Sequence, residues 1–140
     1  MKNEVFLDFC IWEFEDVTVD DITKMLNIQP IQVYKKGEKI NPNFSLVAKK
    51  NGWRMSSNLD KHSSFQDHMN ALIDIIESKL DVFELFCKKY YCEFACAIYI
   101  YYDNDESTPW VHLNSRYNEL IKKMNVEFDL DLYCRSSRES

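Results

Sequence analysis

The sequence predicts an α+β fold, a two-layer sandwich whose mostly antiparallel or mixed sheet of about five strands carries helices on one face. The first observation is a strict alternation near the C-terminus, with apolar residues at Val126, Phe128, Leu130 and Leu132 and acidic residues at Glu127, Asp129 and Asp131. Successive strand side chains point to opposite faces, so we expect the apolar set in the core and the acidic set outside. The second observation is a 3.6-residue apolar period from Phe65 to Ile76, typical of a helix packed on that sheet.

The N-terminal half is predicted as strand, helix and three further strands. Residues 5–12 are rich in aromatic and branched side chains, and their cleaner apolar face is formed by Val5, Leu7, Phe9 and Ile11. Thr18 with Asp21 forms a capping-box pattern, and Asn27 can end the helix in the left-handed conformation. Residues 31–36 follow as a short strand. Asn51-Gly52 then predicts a tight hairpin that pairs Lys50 with Trp53 and Ala48 with Met55.

The C-terminal half adds the main helix, two more strands and a last short helix. Ser63 or Ser64 can cap the main helix, and a break is expected near Ser78. Residues 93–102 are strongly β-forming, and Asn114 or Ser115 begins the last helix. The predicted order is β-α-β-β-β-α(α)-β-α-β. We expect one domain over residues 1–135, followed by a frayed tail at 136–140.

Composition narrows the class of protein. The 140 residues are 46% hydrophobic with a formal net charge of -6, which describes a globular chain and argues against a general nucleic-acid binder. No stretch approaches the ~20 apolar residues of a membrane span, and the N-terminus lacks a signal-peptide pattern. We therefore expect a cytoplasmic protein with no membrane partner, whose five cysteines are free thiols.

Motifs for catalysis and metal binding are missing from the sequence. Of Cys87, Cys92 and Cys96, the last two lie about 13 Å apart on one predicted strand, too far for one zinc ion, and no histidine pair has metal-ligand spacing. Two glycines cannot form a phosphate-binding loop, and Ser57 and its serine neighbours lack a nucleophile motif. We predict no catalytic residue, no metal and no cofactor.

The remaining candidate is the acidic, aromatic face of the sheet. Tyrosine and tryptophan anchor protein interfaces, and carboxylates steer a basic partner. The predicted partner-binding residues are Asp8, Trp12, Glu93, Tyr99, Tyr101, Glu127, Asp129, Asp131 and Tyr133. The favoured hypothesis is a non-enzymatic protein-binding module, for example an immunity-type inhibitor that neutralises a basic toxin domain. A homodimer through this face or an edge strand is a further alternative, and a solvated sheet face is the plainest explanation.

A second hypothesis places a small-ligand site elsewhere. Tyr34, Lys36, Trp53 and His68 combine side chains that can bind an anionic small molecule, and a seam between strand and helix can hold one. The protein would then be a ligand sensor or a weak enzyme. The alternative explanation makes Trp53 a core anchor and leaves Lys36 in solvent.

Short motifs along the chain resemble a bacterial family catalogued as domain of unknown function 4279. They are residues 22–30 (ITKMLNIQP), 36–38 (KGE), 53–57 (WRMSS), His68 and 128–133 (FDLDLY). The chain has Asn27 where the family usually has Gly, and it lacks the Pro commonly found near Ser78. The resemblance implies a compact α+β domain and no established activity.

Overall fold

The computed structural model describes residues 1–138, which form a five-stranded mixed sheet with four helices. The strands are β1 (Glu4–Trp12), β2 (Gln32–Tyr34), β3 (Gly52–Ser56), β4 (Tyr91–Tyr101) and β5 (Glu127–Arg135). The helices are α1 (Val19–Leu26), α2 (Phe65–Ser78), α3 (Leu80–Lys89) and α4 (Ser115–Ile121). The sheet order is β2-β3-β1-β4-β5, and only the β4–β5 pair is parallel. The predicted α+β class is confirmed.

The helix ends follow the local signals in the sequence. Thr18 caps α1 in a complete capping box with Asp21, and Asn27 ends it at φ 54°. Ser64 caps α2 through a bond from the Asp67 N–H, and Asn114 caps α4 in the same way. These predictions are confirmed because each depends on residues within one helical turn.

One core lies between the sheet and the helices. The odd-numbered residues of β1 face it, and Leu7, Phe9 and Ile11 are almost fully buried. Phe9 packs edge-to-face on Phe83 of α3 and on Phe94 of β4, with ring centroids 5.3 and 5.6 Å apart. The helices therefore cover one face of the sheet and leave the other face to solvent.

The predicted hairpin at Asn51-Gly52 is wrong. Residues 44–50 form no strand apart from one isolated bridge between Lys39 and Val47, and β3 pairs with β2 through Tyr34 and Gly52. The Asn51 side chain accepts from the Lys36 N–H (2.9 Å) and donates to the Phe14 carbonyl (2.7 Å). Asn51 thus joins two chain segments instead of forming a turn, and Gly52 is already part of a strand.

The predicted burial of β5 is wrong in its second half. Phe65 of α2 and Tyr117 of α4 reach Phe128, with ring centroids 6.0 and 6.2 Å away. Beyond this point the helix layer ends, and Leu130 and Leu132 are 40% and 58% exposed. The alternation is present, but α4 has only seven residues and covers only the beginning of the strand.

The last described residues are held against the domain. Asp103 accepts from the Ser136 hydroxyl (2.9 Å) and from the Ser137 N–H (2.8 Å). The frayed tail at 136–140 stays a prediction. Glu139 and Ser140 of the predicted tail lie outside the described residues. Within residues 1–138, every helix is too short or too polar to cross a membrane.

Candidate partner-binding face

The face of the sheet opposite the helices, here called the open face, carries the residues predicted to bind a partner. β1 pairs antiparallel with β4, placing Asp8 opposite Ala95, and β4 pairs parallel with β5, placing Ala95 opposite Asp129. The register brings together on this face Asp8, Trp12, Glu93, Tyr99, Tyr101, Glu127, Asp129, Asp131 and Tyr133. Strand alternation explains this placement. Their role in binding stays a prediction.

Tyr101 does not belong to the accessible part of the open face. Its side chain is only 6% exposed. Its N–H donates to Asn3 Oδ1 (2.8 Å), and Asn104 donates to the same oxygen (2.9 Å). The N-terminal segment and the β4–α4 loop meet at this end of β4. A buried ring offers almost no surface to a partner, so the predicted contact through Tyr101 has little support from its position in the fold.

One end of the open face is an aromatic group that we call the Trp12 cluster, formed by Trp12, Tyr34, Tyr91, Gly52 and Glu93. The Trp12 indole N–H donates to one Glu93 carboxylate oxygen (3.0 Å), and the Tyr91 hydroxyl donates to the other (3.1 Å). The Tyr34 ring lies 5.1 Å from the Trp12 ring. Gly52 makes room for both rings, because a Cβ there would lie 2.3 Å from Trp12. Both oxygens of Glu93 are thus occupied within the cluster.

The other end is the Tyr99 cluster, formed by Phe6, Tyr99, Tyr133 and Arg135. The Tyr99 and Tyr133 rings stack with centroids 4.8 Å apart, and Phe6 meets Tyr99 edge-on at 5.8 Å. The Arg135 guanidinium lies 5.1 Å from the Tyr99 centroid, within cation–π distance. Phe6 and Tyr133 are 40% and 39% exposed, so part of this aromatic surface is available for contact.

Between the two clusters, the β4 side chains on the open face are small and the neighbouring β5 side chains are acidic. Ala95 and Ala97 of β4 are small, and the register places Asp129 and Asp131 of β5 directly beside them. Glu127 precedes them on the same strand opposite Glu93. Among residues 1–138, the β5 carboxylates Glu127, Asp129 and Asp131 form no ion pair.

The acidic side chains of β4 and β5 affect the pKa of a neighbouring side chain. The pKa of Tyr91 is raised to about 12, first by desolvation and then by Glu93, with Glu127 and Asp129 adding to it. Asp8 is different, because Arg54 lies 3.4 Å away and partly neutralises it. Burial still raises the pKa of Asp8 above its ordinary value against the opposing effect of Arg54. The uncompensated charge is therefore concentrated on β5.

The four residues of the small-ligand hypothesis do not form a site. Trp53 points into the core, where it is fully buried and donates to Thr23 Oγ1 (3.0 Å). Tyr34 lies on the open face, since it is opposite Gly52 in the ladder while Trp53 is opposite Val33. Lys36 is exposed and pairs with Glu15 at 3.2 Å. The sheet separates Tyr34 from Trp53, so these side chains do not converge on one site, and a small-ligand function stays a prediction.

The fourth member, His68, is buried in a pair that the sequence did not reveal. Its Nδ1 is hydrogen-bonded to the Ser57 hydroxyl at 2.6 Å, and Ser57 Oγ accepts from the Leu59 N–H (3.2 Å). Ser57 and His68 are 6% and 3% exposed. They are eleven positions apart in the sequence, and no local pattern predicts a contact between residues at that spacing.

A serine hydrogen-bonded to a histidine is also the arrangement of a nucleophile and its base. Here the pair borders a cavity of only about 70 Å³, far below the roughly 300 Å³ at which ligand pockets begin. Burial lowers the pKa of His68, the Asp60 backbone carbonyl opposes this shift, and Nε2 has no well-aligned partner. We therefore assign the pair a structural role, joining α2 to the segment after β3.

Cavities large enough for a ligand lie away from the open face. One of about 470 Å³ lies between Glu77 and Arg116, and another of about 370 Å³ lies between Phe65 and Trp110. Within residues 1–138, no three His, Cys, Asp or Glu side chains are grouped so that they could hold a metal ion.

The fold and this face define a class: a single-sheet α+β domain whose uncovered face is acidic and aromatic. The chain belongs to the family described as "Domain of unknown function (DUF4279)", which matches residues 3–135. The family resemblance of the sequence motifs is thereby confirmed over nearly the whole chain. No curated protein and no solved structure matches the chain.

Proposed function

We propose that the protein is a non-enzymatic binding module whose open face engages the basic surface of a protein partner. The observation that carries this proposal is the row of carboxylates Glu127, Asp129 and Asp131, which form no ion pair within residues 1–138 and lie beside the small side chains of Ala95 and Ala97. Complementary charge gives specificity and speeds association, so a row of unpaired carboxylates favours a cationic partner. An immunity-type inhibitor that occupies the basic active site of a toxin domain is one form of this function.

The two aromatic clusters support the same proposal. Binding energy at interfaces is concentrated in a few Tyr, Trp and Arg side chains surrounded by polar contacts. Tyr91 and Tyr133 are 45% and 39% exposed at opposite ends of the face, where they can anchor a partner on either side of the carboxylates. The hydrogen bonds of Trp12 and Tyr91 to Glu93 hold one cluster in place before binding, which lowers the ordering cost.

We propose the cytoplasm as the compartment in which this binding takes place. Within the described residues all five cysteines are free, and Cys10, Cys87, Cys92 and Cys96 are buried. Free buried thiols are typical of proteins in reducing compartments. Burial also raises the pKa of Cys96 to about 12, which keeps this thiol unreactive.

The experiment is a comparison of two double charge reversals that change the net charge equally. Glu127→Lys with Asp131→Lys alters the open face, and Glu38→Lys with Glu84→Lys alters the β2–β3 loop and α3. Affinity-tagged variants are incubated with cytosol from the native cell, and any protein captured by the wild type is purified and its affinity measured by calorimetry. We expect the open-face variant to bind at least tenfold more weakly, about 1.4 kcal/mol or more, and the control to match the wild type.

Salt dependence provides a second readout. An interface steered by exposed charge weakens as ionic strength rises, and the open-face variant should lose most of that dependence. Equal affinity of both variants for the captured protein would refute a role for the carboxylates. Equal weakening of both variants would attribute capture to net charge alone and would equally refute a specific face.

A further inference from the structure

The outer edge of β5 is the least protected part of the fold. β5 is a regular nine-residue strand at the edge of the sheet, whereas β2 at the opposite edge has only three residues. Natural proteins protect edge strands with proline, lysine, a bulge or a covering segment. β5 contains neither proline nor lysine, and its register with β4 runs from Glu127 to Arg135 without a bulge.

The free backbone groups of this edge belong to the even-numbered residues. The Tyr102 N–H donates to the Arg135 carbonyl (3.2 Å), so Arg135 directs its backbone towards β4. In a strand the N–H and C=O of one residue point to the same side and alternate along the chain. Leu130, Leu132 and Cys134 therefore present their N–H and C=O groups outward, and all three side chains are exposed on the helix side of the sheet.

We propose that β5 pairs antiparallel with β5 of a second copy, with the two-fold axis at Leu132, to form a continuous ten-stranded sheet. Leu132 then faces its own symmetry mate, Leu130 faces Cys134, and about six backbone hydrogen bonds join the outward groups. The exposed leucines, which lie beyond the helix layer, cover each other in this arrangement. A closed two-fold interface uses the same patch on both copies.

Charge disfavours two neighbouring registers of this strand pair. With the axis at Leu132, Asp129 faces Arg135 of the second copy and Asp131 faces Tyr133, so no like charges stand directly opposite each other. With the axis at Leu130, Asp129 faces Asp131 twice, and with the axis at Asp131 that carboxylate faces itself. Like charges directly opposite destabilise a strand pair. The carboxylates thus disfavour the registers centred on Leu130 and on Asp131, whereas the register centred on Leu132 pairs Asp129 with the cation Arg135.

Within residues 1–138, the route of the chain leaves this edge clear. After Arg135 the backbone turns back to Asp103, which accepts from the Ser136 hydroxyl and from the Ser137 N–H. Asp103 follows β4, on the inner side of β5. In the dimer both open faces lie on the same side of the joined sheet. This inference stands apart from the proposed function, because its test measures only association between identical chains.

The first test is sedimentation velocity over a range of protein concentrations up to hundreds of micromolar. The mass of the wild type should rise from 16.8 kDa towards twice that value. Asp129→Arg alone and Arg135→Asp alone should each stay monomeric, because each places like charges opposite one another. An equimolar mixture of the two should form dimers again, and so should the double exchange Asp129→Arg/Arg135→Asp, with unchanged far-UV circular dichroism in every case.

The second test fixes the register. Leu132→Cys in a Cys134→Ser background places two thiols on a hydrogen-bonded pair with Cα atoms roughly 5.5 Å apart, within the range for a disulfide. Leu130→Cys in the same background is the control, since its symmetry mate lies four residues along, about 13 Å away. We expect mild oxidation to cross-link only the first variant. A monomeric wild type, a mixture that stays monomeric, or equal cross-linking of both variants would overturn the proposal.

Discussion

Replacing Gly52 with alanine should destabilise the protein by displacing the Trp12 ring on the open face. A Cβ at this position would lie 2.3 Å from Trp12 Cζ3, 2.6 Å from Trp12 Cε3 and 2.9 Å from Tyr34 Cδ2. Ordinary carbon contacts begin at 3.4 Å, so the indole has to retreat by about 1 Å or more. Its hydrogen bond to Glu93, now 3.0 Å long, cannot be kept in that movement.

The expected loss of stability follows from the interactions that the Trp12 ring loses. Its packing with Tyr34 contributes about 0.5–1.5 kcal/mol, and a half-exposed hydrogen bond to a carboxylate contributes about 1 kcal/mol. Alanine restricts the unfolded chain and returns about 0.4–1 kcal/mol. We expect the free energy of unfolding to fall by about 1–2 kcal/mol, which lowers Tm by roughly 3–6 °C in a domain of this size.

Urea unfolding of a double-mutant cycle measures the cause directly. Gly52→Ala is introduced into the wild type and into Trp12→Ala, where the clashing ring is absent. The destabilisation caused by Gly52→Ala should largely disappear in the Trp12→Ala background. The interaction energy between the two substitutions should therefore be about 1 kcal/mol. Gly37→Ala is the control, because Gly37 has φ +85° and no atom near its Cβ, so its cost is conformational and equal in both backgrounds. An equal cost of Gly52→Ala in both backgrounds would refute the steric explanation.

Three further predictions concern the remaining polar contacts. Ser57→Ala leaves the buried Nδ1 of His68 unpaired and should cost about 1–3 kcal/mol in urea unfolding, whereas Ser56→Ala, at an exposed contact, should cost little. Burial lowers the pKa of His68 below 6.5, so the unfolded chain binds more protons and stability should fall as pH drops from 7.5 to 5. His68→Gln should flatten that dependence, and an unchanged slope would contradict it. The Ser137 N–H and the Ser136 hydroxyl hold the pKa of Asp103 at about 2, so Asp103→Ala should lower Tm at pH 7, and this effect should shrink as the pH falls towards 2.

Local features of the fold could be predicted because they depend on residues that are close in sequence. Thr18 with Asp21, Ser64 and Asn114 satisfy the first N–H groups of their helices without help from distant parts of the chain. Alternation in β1, β4 and β5 assigned the open face for the same reason, since the side of a strand on which a residue lies follows from its parity. The carboxylates of the candidate site were found from this pattern alone.

The tertiary structure decided which of these patterns are actually covered. Leu130 and Leu132 have the parity of core residues, but the helix layer ends at Phe128 and leaves them exposed. Tyr101 has the parity of the open face, yet the N-terminal segment and the loop after β4 bury it. Whether a strand residue is covered depends on where segments distant in sequence end, and the alternation within one strand does not contain that information.

By itself, then, the sequence determined the α+β class, the caps of the helices and the acidic side of β5, all of them products of short-range stereochemistry. Only the tertiary structure placed β5 at an edge, opened its outer backbone groups to solvent and joined Ser57 to His68. These features arise from contacts between segments far apart in the chain, and such contacts depend on packing of the whole domain. Asn51-Gly52 illustrates the limit of local prediction. The hydrogen bonds of the Asn51 side chain to Phe14 and Lys36 overrode a strong local turn preference.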